Sequence, residues 1–563
     1  MPSDLNAFES VYVTSRLVSY SGSNGQIVAY VDEGSGEDWN ERVVLLAPRY
    51  GETKKNNLQL GYTLAANGFK VLRFDQTNHV GDSDGSIDRF TLHGVVEDLV
   101  ASSEFIDRQF EPEEIILLTQ SLSSRCGFRA CRSDPRISRF VSIVGMVDMD
   151  STLKAIYNRD IFGEFASGAQ WETIDILGFE IDAANFYHSM VDHKLIDLQG
   201  TVEDASVLTI PSLHLFAERD LWVKLEDVER VVGVCSGASL VKIPEVGHEI
   251  NEKSTAVSFT TEQIIRYCRQ SLKDPIATIW LPDKKALIAQ NKLERERLRE
   301  IVKFDEKESE FWSAYLGKFG IIEKAHYYVD YFQDVVQLLG QLEERDIILD
   351  AGCGSGFFGT SILHSIRLRS KRGLEAVYPL HYCALDLTPD GLSTSYARHV
   401  EELVSAHRDI FHEDHGVAYS YRKVDFDSIN GEVESRVPIA NQSINKLCCS
   451  LVISYLKQPQ HLVSEIYRML APGGVAVISS MKPGCDLTVL YHDSVAKNYS
   501  EENDRDAKEL LSAAGRIKHK QDSGIYQFFS EAELQRLAFE AGFSDIRSLR
   551  SFGDQANVIR VVK

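Results

Sequence analysis

The chain is poor in positive charge. It carries 60 lysines and arginines against 83 acidic residues, a net charge of −23 over 563 residues. That balance excludes sequence-independent nucleic-acid binding, which needs basic surface to displace counterions. Its other effects are to keep the protein in solution and to repel anionic surfaces. Paired cysteines are also missing. The nine present, Cys126, Cys131, Cys235, Cys268, Cys353, Cys383, Cys448, Cys449 and Cys485, form no Cys-x-x-Cys motif and no His/Cys spacing suited to zinc. This argues for reduced thiols and no metal. No stretch approaches the ~20 apolar residues that span a bilayer. Met1-Pro2-Ser3-Asp4-Leu5-Asn6 lacks a basic start followed by an apolar run. A soluble, cytoplasmic protein without a membrane span is expected. Internal repeats and low-complexity tracts are lacking too, so the two halves are not copies of one unit.

A chain this long exceeds what one hydrophobic core usually organises, and two domains are the first expectation, three the alternative. In the first half, strand-like runs at Val43–Ala47, Val71–Phe74, Ile115–Thr119, Phe140–Val144 and Ser212–Phe216 recur. Helical patterns at Asn57–Asn67, Leu92–Arg108 and Leu122–Cys131 separate the first four, which predicts a mainly parallel α/β sheet. Residues 10–31 read as a hairpin turning at Asn24-Gly25. The long aromatic insertion between Gly145 and Pro211 reads as a cap suited to a greasy substrate. Residues 283–310 are charge-dense with sparse apolar positions, as in a solvated helix joining two domains. A second alternating series follows, with strands at Ile347–Asp350, Tyr382–Asp386, Ala418–Val424, Lys446–Val452 and Val475–Ser479. The expected division is 1–282, 283–310 and 311–563.

An apolar run, Ile115 to Leu118, delivers Thr119-Gln120-Ser121-Leu122-Ser123 into a turn before a helix. A serine hydroxyl becomes nucleophilic when a histidine accepts its proton and an acid fixes the histidine tautomer. The usual turn is Gly-x-Ser-x-Gly, from which this chain departs at both glycines. Chain order supplies the partners. Asp220 follows the strand Ser212–Phe216, with Glu218 as fallback, and His248 follows Val241-Lys242-Ile243. Oxyanion stabilisation needs two backbone amides. The candidates are Leu122 and, in the loop after the early strand, Tyr50.

The stretch Leu45–Phe69, the segment Ala66 to Asp75 with His79-Val80-Gly81, and Ser121-Leu122-Ser123 with Arg125 together resemble the bacterial bioluminescence acyl-transferases. These are myristoyl-acyl-carrier-protein thioesterases. The resemblance covers roughly residues 10–285. It implies an α/β-hydrolase fold with a cap, and release or transfer of a fatty acyl group from a carrier thioester. Ser121 would be the nucleophile, Asp220 the orienting acid and His248 the base. The form Ser121-x-Ser123 matches that family.

In the second half, Asp350-x-Gly352-x-Gly354-x-Gly356 follows a strand and precedes a helix. Glycines there let the backbone approach a ligand closely. With its strand-terminal acid, the loop resembles motif I of the class I S-adenosylmethionine-dependent methyltransferases. The resemblance implies a Rossmann-like domain, S-adenosylmethionine as cofactor, Asp386 on the ribose, and Asp425 with Phe426 near the adenine. The strand around Ser450 resembles motif IV, and Met469 to Gly474 resembles the turn before the fifth strand. Asp350 and Asp386 are 36 positions apart against the ~20 of a compact unit, the excess being expected as a surface loop at Ile366–Gly373. Tyr327, Tyr328, Tyr455 and His492 are candidates for the substrate side.

Arg125, Arg129 and Arg132 at helical spacing, with Arg136, Arg139, Lys54 and Lys55, form a local basic cluster. It could steer an acidic carrier protein or simply pair with neighbouring acids. The sequence thus reads as a bifunctional enzyme, a thioesterase or acyltransferase fused to a methyltransferase acting on a small metabolite. The rival reading makes one half a degenerate scaffold that binds a carrier for the other.

Overall fold

Val43, Val44, Leu45 and Leu46 have no exposed surface at all, and Leu117 and Leu118 beside them have none. Strands buried on both faces belong in a parallel sheet covered by helices. The computed structural model, which describes residues 10–35, 40–270, 278–301, 307–371, 380–407, 417–485 and 500–563, has that sheet in its first half. The strands are β1 (Val13–Gly22), β2 (Gly25–Gly34), β3 (Arg42–Leu46), β4 (Lys70–Phe74), β5 (Glu114–Gln120), β6 (Ile137–Ile143), then β7 (Thr173–Ile176), β8 (Phe179–Asp182), β9 (Ser212–Ala217) and β10 (Ala238–Ile243). Eight of them form one sheet in the order β1-β2-β4-β3-β5-β6-β9-β10, antiparallel at β1/β2 and β2/β4 and parallel beyond. The β1/β2 hairpin turns through Ser23 and Asn24, with Gly22 opposite Gly25. This is one residue earlier than expected, because Gly25, at φ +134°, already pairs.

Between β6 and β9 the chain leaves the sheet for four helices and the separate β7/β8 hairpin. Helices Met149–Tyr157, Ile161–Ala166, Ala183–Asp192 and Leu198–Ser206 each start on an aspartate whose carboxylate accepts an N–H of the first turn: Asp148, Asp160, Asp182 and Asp197. An N-cap of this kind satisfies a donor that the helix cannot. These short caps let the insertion fold as discrete helices.

The chain divides into two compact units, Met1–Lys303 with Ala514–Gly524, and Phe304–Ala513 with Ile525–Lys563. Helix Lys284–Ile301 is part of the first unit and is not the solvated spacer expected for 283–310. Ala286, Glu294 and Leu298 are buried. Glu294 Oε1 accepts from Arg73 Nη2 at 3.0 Å, and Arg73 also pairs with Asp32 on β2. Arg73 and Asp32 have no exposed surface, and Glu294 is 2% exposed. A glutamate in a charged helix reads as solvated in sequence; only a buried arginine across the fold makes it interior.

The second unit has β11 (Ile347–Ala351), β12 (Leu380–Asp386), β13 (Val417–Lys423), β14 (Ile444–Cys449), β15 (Leu470–Met481), β16 (Asp545–Ser551) and β17 (Ala556–Val562). Their order is β13-β12-β11-β14-β15-β17-β16, with β17 antiparallel to both neighbours and the other pairs parallel. The order reverses at β11, between β12 and β14, where ligands of open α/β sheets bind. Ile366–Lys371, expected in a loop, instead continue helix Phe357–Lys371, and Ile366 is buried. Residues 372 and 373 of that expectation lie outside the described residues. Of the Met469–Gly474 turn, Met469 ends helix Pro459–Met469 and Leu470–Gly474 form the start of β15, with Gly473 at φ +77°.

Candidate active sites

Ser121 follows β5 and is the N-cap residue of helix Leu122–Ser133, with φ +53° and ψ −127°. Non-glycine residues seldom hold this backbone, and it persists where the surroundings over-determine it. Here the Ser121 N–H donates to the Ile143 carbonyl at 3.0 Å, and its own carbonyl accepts from Ser124 and Met146. The turn presents Ser121 Oγ 2.8 Å from His248 Nε2. His248 Nδ1 lies 2.8 Å from Asp220 Oδ2. The other carboxylate oxygen of Asp220 accepts from the Trp222 and Val223 amides at 2.9 and 3.1 Å. The Trp222 ring packs on the imidazole, centroids 4.4 Å apart. The carboxylate and the ring plane of His248 are thereby fixed. The fallback Glu218 is not part of this chain; it accepts from the Glu245 amide.

The two expected oxyanion donors follow neighbouring strands, Tyr50 after β3 and Leu122 after β5, which pair in register. Leu122 is in the first helical turn, where amides lack intrahelical acceptors. The next amide in the loop, Gly51 N–H, is already spent on His79 Nε2 at 3.0 Å. Burial pushes His79 down to about 3, so it stays neutral as that acceptor. Tyr50 is ringed by Phe90, by His79 and by Phe179 of the cap hairpin.

The departure from the glycine elbow has a structural cause. The Ser123 hydroxyl donates to the Pro48 carbonyl, and Gln76 Nε2 donates to Ser123 Oγ at 3.2 Å. Thr119 Oγ1 donates to Ser124 Oγ at 3.0 Å. Of the hydroxyls at the two glycine positions, Ser123 ties the serine turn to the loop carrying Tyr50, and Thr119 ties the strand end to the start of the helix.

Every member of the basic cluster pairs with an acid. Arg125, Arg129 and Arg132 all pair with the fully buried Asp204. Arg136 pairs with Asp134 and Arg139 with Glu114. Lys54 is held by Asp75 and Asp82, and Lys55 lies 3.6 Å from Asp522. Of the two readings of this cluster, pairing with neighbouring acids is the one the geometry favours.

In the second unit a cavity of about 390 Å³ is lined by Asp350, Gly352, Gly354, Asp386, Asp425, Phe426 and Ser450, among others. Gly356 does not line it; its carbonyl accepts from His399 Nε2 at 2.8 Å. A Cβ at Gly356 would collide with Ser395, so that glycine serves packing. Asp386 holds the loop: Oδ2 accepts from Gly354 N–H at 2.8 Å, and Oδ1 from the Thr388 amide at 2.8 Å. Asp350 is 1% exposed and accepts from Tyr382 Oη at 2.6 Å. Burial pushes its carboxyl up to about 7, the tyrosine opposing and Asp386 adding to the rise. Tyr328 and Tyr455 line the cavity, while Tyr327 does not. His492 lies outside the described residues. Sequence reasoning missed Trp312, Leu316 and Phe319, which also line it. With Ser309 they form a stripe at i, i+3, i+7 and i+10 along Glu308–Lys318 and into Phe319. The charge-dense run ending at 310 concealed its start.

An α/β-hydrolase-type sheet with a capped serine turn, and a methyltransferase-type sheet with a glycine loop, are the two classes this architecture defines. Residues 35–248 match the family model described as acyl transferase, and residues 324–548 match the one described as methyltransferase domain. The chain thus joins a region similar to the acyl transferase family to a region similar to a methyltransferase domain. Over 195 residues it is 24% identical to an acyl transferase of Photobacterium phosphoreum, covering 35% of this chain and 63% of that one. It is 27% identical over 227 residues to an acyl transferase of Photobacterium leiognathi, covering 37% of this chain and 73% of the relative. The match thus spans less than two thirds of the first relative's length. Among solved structures, Est1E of Butyrivibrio proteoclasticus with bound ferulic acid aligns at 15% identity. It covers 46% of this chain and all of that one, with a TM-score of 0.39. Among the described residues no helix is long and apolar enough to cross a membrane.

Proposed function

We propose that the first unit cleaves or transfers a fatty acyl group from a thioester, carried on an acyl carrier protein, through Ser121, His248 and Asp220. The observation that carries this reading is the unbroken hydrogen-bonded series from Ser121 Oγ through the imidazole to Asp220. Ser121 Oγ attacks the thioester carbonyl as its proton passes to His248 Nε2. The developing oxyanion faces the Leu122 and Tyr50 amides. Collapse of the adduct breaks the C–S bond, and the thiolate leaves with the proton held by His248. A water or an acceptor hydroxyl or amine, deprotonated by His248, then attacks the acyl carbonyl; the ester bond to Ser121 Oγ breaks and His248 returns the proton to that oxygen. Asp220 keeps Nδ1 protonated and stabilises the imidazolium. The aromatic cap supports an apolar acyl chain. The intact set argues against a scaffold that has lost its chemistry.

For the second unit we propose methyl transfer from S-adenosylmethionine to a small metabolite. The residues fit such a ligand. The cavity has the size of a nucleotide-class site. At Gly352, φ +89°, an added Cβ would lie 2.1 Å from Val452, so only glycine fits where the loop meets that side chain in the cavity wall. Asp386 and Asp425 offer acceptors for hydroxyl and amino groups, and Phe426 an apolar face. The cofactor supplies an electrophilic methyl group on a sulfonium; the chain's task is to hold donor and acceptor in line.

The test of the first reading is incubation with a long-chain acyl thioester followed by intact-mass measurement. An acyl adduct on the wild type and none on Ser121→Ala is expected. Equal adduct on both ends the assignment.

A further inference from the structure

The residue after the candidate base is an acid. Glu249 is largely buried beside His248, and its Oε2 lies 3.1 Å from Arg49 Nη1 and 3.2 Å from Lys518 Nζ. Lys518 Nζ also lies 2.9 Å from Glu52 Oε1. Burial alone would raise the Glu249 carboxyl, but Lys518 and Arg49 outweigh it and hold it at about 2. Arg49 and Glu52 flank Tyr50 and Gly51. Two cations and two anions therefore bind the oxyanion loop to the His248 loop, and one cation comes from far away in sequence. Lys518 belongs to Ala514–Gly524, which forms part of the first unit although it lies more than 200 residues beyond Lys303.

The same segment makes further contacts in that unit. Asp522 Oδ2 accepts from Asn56 Nδ2 at 2.8 Å. The His519 ring meets the Phe179 ring of the cap hairpin edge-on at 5.4 Å. At Gly515 the helix presses so closely on the cap turn that an added Cβ would sit 1.8 Å from the Leu177 carbonyl oxygen. The first 303 residues alone therefore leave Glu52 and Glu249 with Arg49 as their sole counter-ion within this cluster.

We infer that Lys518 is a positioning residue of the serine site, acting on His248 through Glu249 and on the Tyr50 loop through Glu52. It rests on the reading of Ser121 as nucleophile only for its effect on rate; its effect on His248 is independent of that reading. Asp220 from the loop after β9 pairs with His248 directly and Glu249 follows it in sequence, while Arg49 and Glu52 from the loop after β3 are linked to it through Glu249 and Lys518. Lys518 and Asp522 come from the distant segment. Removing Lys518 leaves an excess of negative charge there, which favours imidazolium.

The experiment uses the full chain with ¹³C-labelled histidine, His248→Gln identifying the signal, and a fluorophosphonate probe for serine labelling against pH. In Lys518→Ala, the His248 signal should reach its midpoint at higher pH, because the cation paired with the neighbouring Glu249 is gone. The acidic limb of labelling should move up with it. Lys518→Arg should restore the wild-type midpoint, and Lys518→Ala with Glu249→Gln should bring it back down. A His248 midpoint unmoved in folded Lys518→Ala, or not restored by arginine, overturns the proposal whatever Ser121 does. Labelling that persists in Ser121→Ala sinks the nucleophile reading and leaves the His248 titration to decide this one.

Discussion

The Ser123 hydroxyl donates to the carbonyl oxygen of Pro48, joining the turn that presents Ser121 to the loop that presents Tyr50. A glycine at 123 would restore the common elbow pattern and remove this tie. The buried Pro48 carbonyl would then retain one weak contact, Gln76 Nε2 at 3.4 Å. Ser123→Gly should therefore lower kcat rather than raise it, by ~10-fold. Stability should fall by ~1–3 kcal/mol, the cost of leaving a buried polar group poorly paired. Denaturant unfolding and steady-state thioester turnover measure the two effects.

Asp220 accepts three hydrogen bonds, one from His248 and two from backbone amides. Asp220→Asn keeps the shape but turns an acceptor toward Nδ1 into a possible donor, favouring the tautomer with the proton on Nε2. That imidazole cannot take the proton of Ser121. A loss of up to ~10⁴-fold in kcat is expected with folding intact. Retention of more than a tenth of wild-type turnover would remove Asp220 from the mechanism.

Much of this was legible because strand ends are legible. Apolar runs closing on Ser121, Asp220, His248, Asp350 and Asp386 mark where parallel strands stop, and parallel strands stop at one edge of a sheet. What stayed hidden is set by contacts that leave no local pattern. Glu294 and Lys518 sit in charged helices and look solvated, yet both answer charges on distant strands and loops. Gly356 shares a motif with Gly352 and Gly354 but faces a neighbouring helix, which spacing cannot reveal. The basic helix 122–133 gave no hint that the single buried Asp204 would receive three of its arginines.

The pair Arg73–Glu294 makes a stability prediction. Both side chains are buried, and Asp32 completes the group. Breaking a buried pair leaves a charge with no solvent and no full partner, which typically costs ~3–5 kcal/mol. Arg73 keeps both bonds to Asp32 when Glu294 is removed, so Glu294→Ala should destabilise the first unit by less than that, about 1–3 kcal/mol for the lost charged hydrogen bonds. Lys292→Ala, on the same helix but exposed, should change stability by less than ~0.5 kcal/mol. Chemical denaturation followed by tryptophan fluorescence distinguishes them.

Asp350 makes a pH prediction. Its carboxyl ordinarily titrates at 3.8 and is pushed up to about 7 by burial. A group whose folded value is raised contributes stability that is complete below 3.8 and is lost as pH rises toward 7. The second unit should therefore lose stability between those limits, by up to ~1.4 kcal/mol per pH unit from this one group. Asp350→Asn should flatten that slope. An unchanged slope in the variant would assign it to other carboxyls of the second unit that burial also raises, Asp346 and Asp427.

Asp386 and Gly352 separate two ways of losing a cofactor. Asp386 is anchored by Gly354 N–H and by Thr388, so its carboxylate is oriented before any ligand arrives. Asp386→Ala removes a ligand acceptor and also frees the Gly354 amide, and calorimetry with S-adenosylmethionine should show affinity lower by at least ~10-fold. Gly352→Ala leaves every acceptor in place but sets a methyl group against Val452 at a backbone angle that alanine rarely adopts. Its loss should be partly recovered by Val452→Ala, which opens the space, whereas the same change cannot rescue Asp386→Ala. Recovery in both, or in neither, would show that the loop and the acid do not act on the ligand separately. Normal affinity in Asp386→Ala would place the ribose contact on another acid of the cavity, Asp425 being the nearest in role.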